Sequence, residues 1–314
     1  MNKLLVITGP TAVGKTGFAV NLCRKLRDDF NLRPEIISAD SRQVYKFMDI
    51  GTGKDLAEYG DGDDKIPYHL IDIREPGYEY NVYEFRKDFI KVFYDITSRG
   101  GFPVLCGGTG LYIEAVLENH NLVNVPPDND LRAELEVLSK EELIERLSSF
   151  RTLHNTSDTE STKRLIRAIE IETYMQNNNV EVEILETDHR IIGITGERIN
   201  VKKNITKRLS ERLENGMIEE AQKLLELGVN YEQMEYYGLE YKHLSYYLKG
   251  ECNLNDMKQR LNSDIHRFSK RQMTWFRHME KNGHNFFWIN FEKSIKNKLN
   301  LAIDHLLEDG FIVK

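Results

Sequence analysis

Residues 9–16 read Gly-Pro-Thr-Ala-Val-Gly-Lys-Thr: a glycine, four free positions, then Gly14-Lys15-Thr16. No other stretch limits the fold as tightly. A loop of this spacing turns successive backbone N–H groups toward one point and requires a helix to start at its end, so loop and helix N-terminus together face an anion. Lys15 adds a cation, and the Thr16 hydroxyl is placed to ligate Mg²⁺. The flanks agree with that geometry. Residues 4–8 form a short apolar run, the mark of a buried strand, and Phe18, Ala19, Leu22 and Leu26 then recur at helical spacing. Gly9, Thr11, Ala12, Val13, Gly14, Lys15 and Thr16 are thus the candidate phosphate-binding residues. The motif is shared by ATP-binding proteins, kinases and other transferases, and is silent on the reaction.

Further apolar runs at residues 34–39, 69–73, 103–106 and 190–195 read as strands, with helical patterns between them. One helix is predicted from Val82, Phe85, Phe89, Val92 and Ile96, its start marked by Asn81 and Glu84 at capping spacing. Strands alternating with helices predict an α/β fold with a P-loop NTPase-like parallel sheet flanked by helices. Residues 120–188 break the pattern. They are helical and polar, with 15 acidic against 7 basic residues, and so hold the acidity of a chain whose net charge is −7. The expected organisation is a core of residues 1–119 and 189–314 with a helical insert at 120–188. Helical C-terminal segments follow, including a long stripe through Leu261, Ile265, Phe268, Gln272, Trp275 and Met279, then an edge strand at 285–289 and a last helix.

No apolar run approaches the roughly 18 residues of a membrane span, and the first one meets Gly9-Pro10 at once, so neither membrane segment nor signal peptide is expected. Cys23, Cys106 and Cys252 lie far apart without metal-ligand spacing, as fits reduced thiols in the cytoplasm.

Two further positions bear on chemistry. Asp40 follows the second strand, at the carboxyl edge where ligands of open α/β sheets bind, although an aspartate there could equally cap a helix. Thr109 follows the fourth strand on the glycine turn Gly107-Gly108-Thr109-Gly110. Arg208 and Arg212 are four apart and share a helix face, where they could clamp an anion or simply meet solvent.

Taken together, GPTAVGKT, ISADSRQVYKFMDIGTGK, HLIDI, GGTGLY, KRLIRAIEI and KRQMTWFR occur in an order that resembles the tRNA dimethylallyltransferase (tRNA isopentenyltransferase) family, over about residues 4–288. The resemblance implies that the loop holds the diphosphate of dimethylallyl diphosphate, with Mg²⁺. Arg208 and Arg212 would assist the loop. The acceptor would be the exocyclic 6-amino group of the tRNA adenosine just 3′ of the anticodon. It further implies Asp40 as general base and Thr109 as a hydrogen-bonding partner of the reacting nucleotide. Ser41, Arg42 and Gln43 would handle the target base with them. Arg132, Lys163, Arg164 and Arg167 of the insert, and Lys270, Arg271 and Arg277 of the long helix, would contact tRNA. A monomer is expected.

The chain departs from the family pattern at three places. Gly238-Leu239-Glu240-Tyr241 replaces a Gly-Tyr-Arg stretch, Phe47 stands at a usual glycine, and residues 153–158 lack a usual proline. Three other readings stay open at this point: a small-molecule P-loop kinase, a divergent paralogue that binds tRNA with weak or no transfer, and an enzyme that prenylates free AMP.

Overall fold

The computed structural model describes residues 2–118, 123–151, 161–178 and 184–313. The chain divides into two compact units, residues 119–184 forming one and the remainder the other.

The larger unit is built on a sheet of six strands, all parallel. They are β1 (Asn2–Thr8), β2 (Pro34–Ser38), β3 (Tyr68–His69), β4 (Phe102–Gly107), β5 (Thr187–Thr195) and β6 (Phe286–Asn290). The spatial order is β3-β2-β4-β1-β5-β6. Leu4 to Ile7, Ile36, Ile37, Val104, Leu105 and Ile192 are fully buried, as strands covered on both faces must be. Because β4 lies between β2 and β1, the carboxyl ends of β2, β4 and β1 stand side by side. Ser38 pairs with Cys106 and Thr8 with Gly107.

Helices α1 (Lys15–Phe30), α2 (Val82–Ser98) and α3 (Gly110–Leu117) follow β1, β3 and β4. The pair read from the sequence at the start of α2 is a true capping box, with Asn81 accepting from the Glu84 amide and Glu84 reaching back to the Asn81 amide. The run at 69–73 behaves differently from expectation. β3 is only two residues long, because Leu70 and Asp72 take left-handed φ of 61° and 56° and turn the chain away from β2. The amides of Asp72 and Ile73 then donate to the carbonyls of Gln43 and Val44, at 3.1 and 2.9 Å. That detour brings Asp72 to Lys54, whose fully buried ammonium also donates to Asp49 Oδ1 at 2.7 Å and the Tyr45 carbonyl at 2.6 Å.

The smaller unit holds α4 (Asn129–Glu136), α5 (Lys140–Phe150) and α6 (Thr162–Asn177) around its own core of Leu135, Leu143, Leu147, Leu165 and Ile169. The strand after it starts at Thr187, within the segment that the sequence assigned to the insert.

The larger unit continues with α7 (Arg198–Glu214), α8 (Met217–Glu226), α9 (Tyr231–Tyr236), α10 (Leu239–Leu248), α11 (Leu254–Lys281) and α12 (Ile295–Glu308). On α11 the buried stripe is Met257, Leu261, Ile265, Phe276 and Met279, with Gln272 also buried in it. Phe268, expected in that stripe, is instead 37% exposed. None of the described helices is long and apolar enough to cross a membrane.

Candidate active site

The glycine loop leaves β1 at Gly9, where φ is 147° and a side-chain Cβ would stand 2.1 Å from the Ile194 carbonyl oxygen. Glycine is obligatory there for space as well as for conformation. Ala12 also takes a left-handed φ, of 65°, an unusual setting for a residue with a side chain. The loop is thereby wound tightly into the N-terminus of α1. Lys15 Nζ turns back to donate to the Pro10 carbonyl at 2.8 Å. Burial pushes its ammonium down to about 8, against the pull of Cys106 and Asp40.

Two side chains from the neighbouring strand ends join it. The Asp40 carboxylate, past β2, accepts the Arg42 amide on Oδ1 at 2.9 Å, which fixes its rotamer and leaves its second oxygen open. Thr109, past β4, caps α3; its hydroxyl oxygen accepts the Ser41 amide at 3.2 Å, and its own amide donates to the Ala39 carbonyl at 3.2 Å.

These groups line one cavity of about 1020 Å³ within the larger unit. Of the residues expected to hold diphosphate, Thr11, Ala12, Gly14, Lys15, Thr16, Arg208 and Arg212 line it, while Gly9 and Val13 support the loop from behind. Asp40, Ser41, Arg42, Gln43, Thr109 and Arg271 line it as well, and Lys270 and Arg277 lie outside it. Arg208 and Arg212 approach from α7 over the segment 49–55. Arg208 pairs with Asp55 at 2.7 Å, and Arg212 stands 3.6 Å from Glu240 and donates to the Gly51 carbonyl at 3.3 Å. Burial and the neighbouring Arg208 both make the Arg212 charge harder to hold than usual. Gln43 spends its amide inside the protein, accepting from Ser38 Oγ at 3.1 Å and donating to the Gly53 carbonyl at 3.2 Å. The Arg42 guanidinium lies 5.1 Å over the Tyr236 ring, at the cavity wall.

Sequence reasoning missed two residues that assemble the site. Gln272, read as part of an apolar stripe, accepts the Thr11 amide at 2.9 Å and donates to the Gly108 carbonyl at 2.8 Å. It thus ties the phosphate loop to the Thr109 turn through α11. A polar amide at a core position of a helix was the available signal, since such a group is buried only with partners. Glu220 of α8 receives the amides of Asp49, Ile50 and Gly51 at 2.7, 2.8 and 2.9 Å and the Tyr241 hydroxyl at 2.6 Å. Nothing local marked it, because its backbone partners lie about 170 residues away in sequence.

In the smaller unit Glu170 is buried and binds Arg132 Nε at 2.9 Å, the Asp128 amide at 2.7 Å and Arg167. Burial alone would raise its carboxyl, but the hydrogen bonds from Arg132, Asp128 and Arg167 hold it below the ordinary range. Arg132 and Arg167 are therefore committed to a carboxylate, while Lys163 is exposed. On α11, Lys270, Arg271 and Arg277 are exposed and make no ion pair among the described residues.

The IPP transferase family model matches residues 43–279, a span that takes in Thr109, Arg208, Arg212 and the smaller unit and begins after the phosphate loop and Asp40. The chain belongs to the IPP transferase family. It is 53% identical over 288 residues to tRNA dimethylallyltransferase 1 of Geotalea uraniireducens, covering 91% of this chain and 92% of that one. Identity to tRNA dimethylallyltransferase 2 of Bacteroides fragilis is 46% over 306 residues, 97% of this chain and 98% of the other. The crystal structure of a full-length tRNA isopentenylpyrophosphate transferase from Bacillus halodurans superposes with a TM-score of 0.69 at 31% identity, covering 99% and 98% of the two chains. The family's P-loop α/β fold is the fold of this chain.

Proposed function

We propose that this IPP transferase family member moves a dimethylallyl group from dimethylallyl diphosphate to the 6-amino group of adenosine 37, beside the tRNA anticodon, and releases diphosphate. One observation carries the assignment: the phosphate loop, the Asp40 carboxylate, the Thr109 hydroxyl and an arginine pair converge on a single cavity.

The chemistry follows from those groups. The allylic C1–O bond breaks with carbocation character at C1, so negative charge collects on the departing diphosphate. Loop amides, Lys15, Arg208 and Arg212 face that charge where it develops, which lowers the barrier. The amino nitrogen, a weak nucleophile because its lone pair is delocalised into the purine, forms the new bond to C1. Asp40 takes its proton as the bond forms, and Thr109 holds the nucleotide in line. The buried site demands that adenine leave its stack. Mg²⁺ fits this site: Thr16 sits at the start of α1 on the cavity wall, and a cation that keeps most of its waters needs few protein ligands. When bound, it would neutralise charge on the diphosphate. Arg42, Arg271, Lys270 and Arg277 suit tRNA phosphates, and such a reaction belongs in the cytoplasm, with the protein acting as a monomer.

A carboxylate at Glu240, without a cation beside it, would favour a paralogue that binds tRNA without transfer. Its pairing with Arg212 supplies the compensating cation. The test is incubation of purified protein with Mg²⁺ and labelled dimethylallyl diphosphate, offering an anticodon stem-loop, AMP or no acceptor. Prenylated adenosine in the stem-loop alone is expected; product with AMP alone, or phosphoryl transfer from labelled ATP, overturns the assignment.

A further inference from the structure

Glu240 lines the same cavity as the phosphate loop, and its carboxylate lies 3.6 Å from Arg212. We propose that Glu240 is the resident counter-anion of Arg212, which the entering diphosphate displaces, so that this carboxylate sets how tightly diphosphate is held. The inference rests on the reading that Arg212 binds diphosphate.

Three features support the exchange. First, α7 presents two guanidinium groups to the same cavity wall, and burial and the neighbouring Arg208 both make the Arg212 charge less favourable. Leaving both unpaired would be costly, and each meets one resident carboxylate instead: Asp55 for Arg208 and Glu240 for Arg212. Second, the Arg212–Glu240 separation exceeds that of a hydrogen bond, so the attraction is Coulombic and not locked by geometry. A diphosphate offers the bidentate, charge-assisted contact that Glu240 does not make. Third, Glu240 cannot easily follow or retreat. It is the second residue of α10, and its neighbour Tyr241 is fully buried and tied to Glu220. The charged groups around it are Arg212 and Arg208 from α7, Asp40 from the β2 edge, and Asp55 beside Arg208. Burial already pushes its carboxyl up, with Arg212 opposing. Once diphosphate draws Arg212 away, Glu240 faces an anion without its partner, and the bound state is weakened accordingly. Product release gains what donor affinity loses.

Calorimetric titration of the full chain with inorganic diphosphate and Mg²⁺ tests this. Glu240→Gln, nearly isosteric, is expected to tighten diphosphate about tenfold, equal to about 1.4 kcal/mol, and to strengthen product inhibition by the same factor. With Arg212→Ala already present, the gain should shrink to less than about threefold, the signature of coupling between the two residues. Glu240→Ala serves as a second probe if the glutamine variant melts early. Unchanged or weaker binding in both Glu240 variants overturns the proposal, and so does an equal gain without Arg212, which would mean simple repulsion. If Arg212→Ala leaves diphosphate affinity untouched, the diphosphate reading fails and the proposal with it; if Arg212→Ala weakens binding while the Glu240 variants change nothing, only the proposal fails.

Discussion

At the scale of single residues, the proposed base Asp40, the buried cation Lys15 and the left-handed backbone of Phe47 each make a distinct expectation. Asp40→Asn keeps the Arg42 amide partner but has no lone pair basic enough to accept a proton. Transfer should slow by at least about a hundredfold with dimethylallyl diphosphate affinity retained, read from single-turnover rates and a separate binding titration. Lys15 behaves oppositely. Its ammonium is disfavoured in the folded free protein, since burial holds it at about 8 against an ordinary value of 10.5. The cost to folding is present below pH 8 and disappears as pH rises from 8 toward 10.5. Lys15→Met should therefore raise the melting temperature at pH 7, by a margin that shrinks above pH 8, while abolishing diphosphate binding. Phe47 is the third case. It is 47% exposed with a left-handed φ of 63°, a conformation that favours glycine. Phe47→Gly should stabilise the protein by about 1 kcal/mol, measured by urea denaturation. The phosphate loop could be read from its sequence because its function depends on local backbone geometry. The pairing of Glu240 could not, because Arg212 lies on a different helix.

At the scale of elements, α11 does more than cover the sheet. Gln272 bridges the phosphate loop and the Thr109 turn, and Trp275 packs so closely on Gly110 that a Cβ there would come within 2.4 Å. One helix thus sets the spacing between the glycine loop and the Thr109 turn. Gln272→Ala strands the Thr11 amide and the Gly108 carbonyl. A stability loss of about 1–3 kcal/mol is expected, together with a raised KM for the donor, checked by denaturation and steady-state kinetics. Glu220 plays the same part for the segment 49–51. Helices and central strands were legible from periodicity, since burial on a sheet repeats regularly. β3 was not: the apolar run 69–73 carries the pattern of a strand, but the need of the buried Lys54 for Asp72 decides where that run goes.

At the scale of the whole molecule, the helical, polar and acidic pattern of residues 120–188 predicts an insert, and the described residues among 119–184 include a core around Leu135, Leu143, Leu147, Leu165 and Ile169. Among the described residues that core has seven buried members, few for independent stability. The larger unit keeps every residue lining the cavity, so replacing residues 119–184 by a short glycine–serine linker should leave diphosphate binding unchanged and abolish transfer to an anticodon stem-loop. Titration calorimetry and a prenylation assay read the two outcomes separately. The amino-acid sequence alone determined the anion-binding loop, the parallel α/β class and the carboxylate at the strand edge, because glycine spacing and apolar periodicity are properties of neighbouring residues. Only tertiary structure decided that Gln272 ties that loop to the Thr109 turn, that Glu220 holds the amides of residues 49–51, and that Glu240 stands beside Arg212. Their partners are held by packing between helices distant in sequence, and no local pattern encodes such distances.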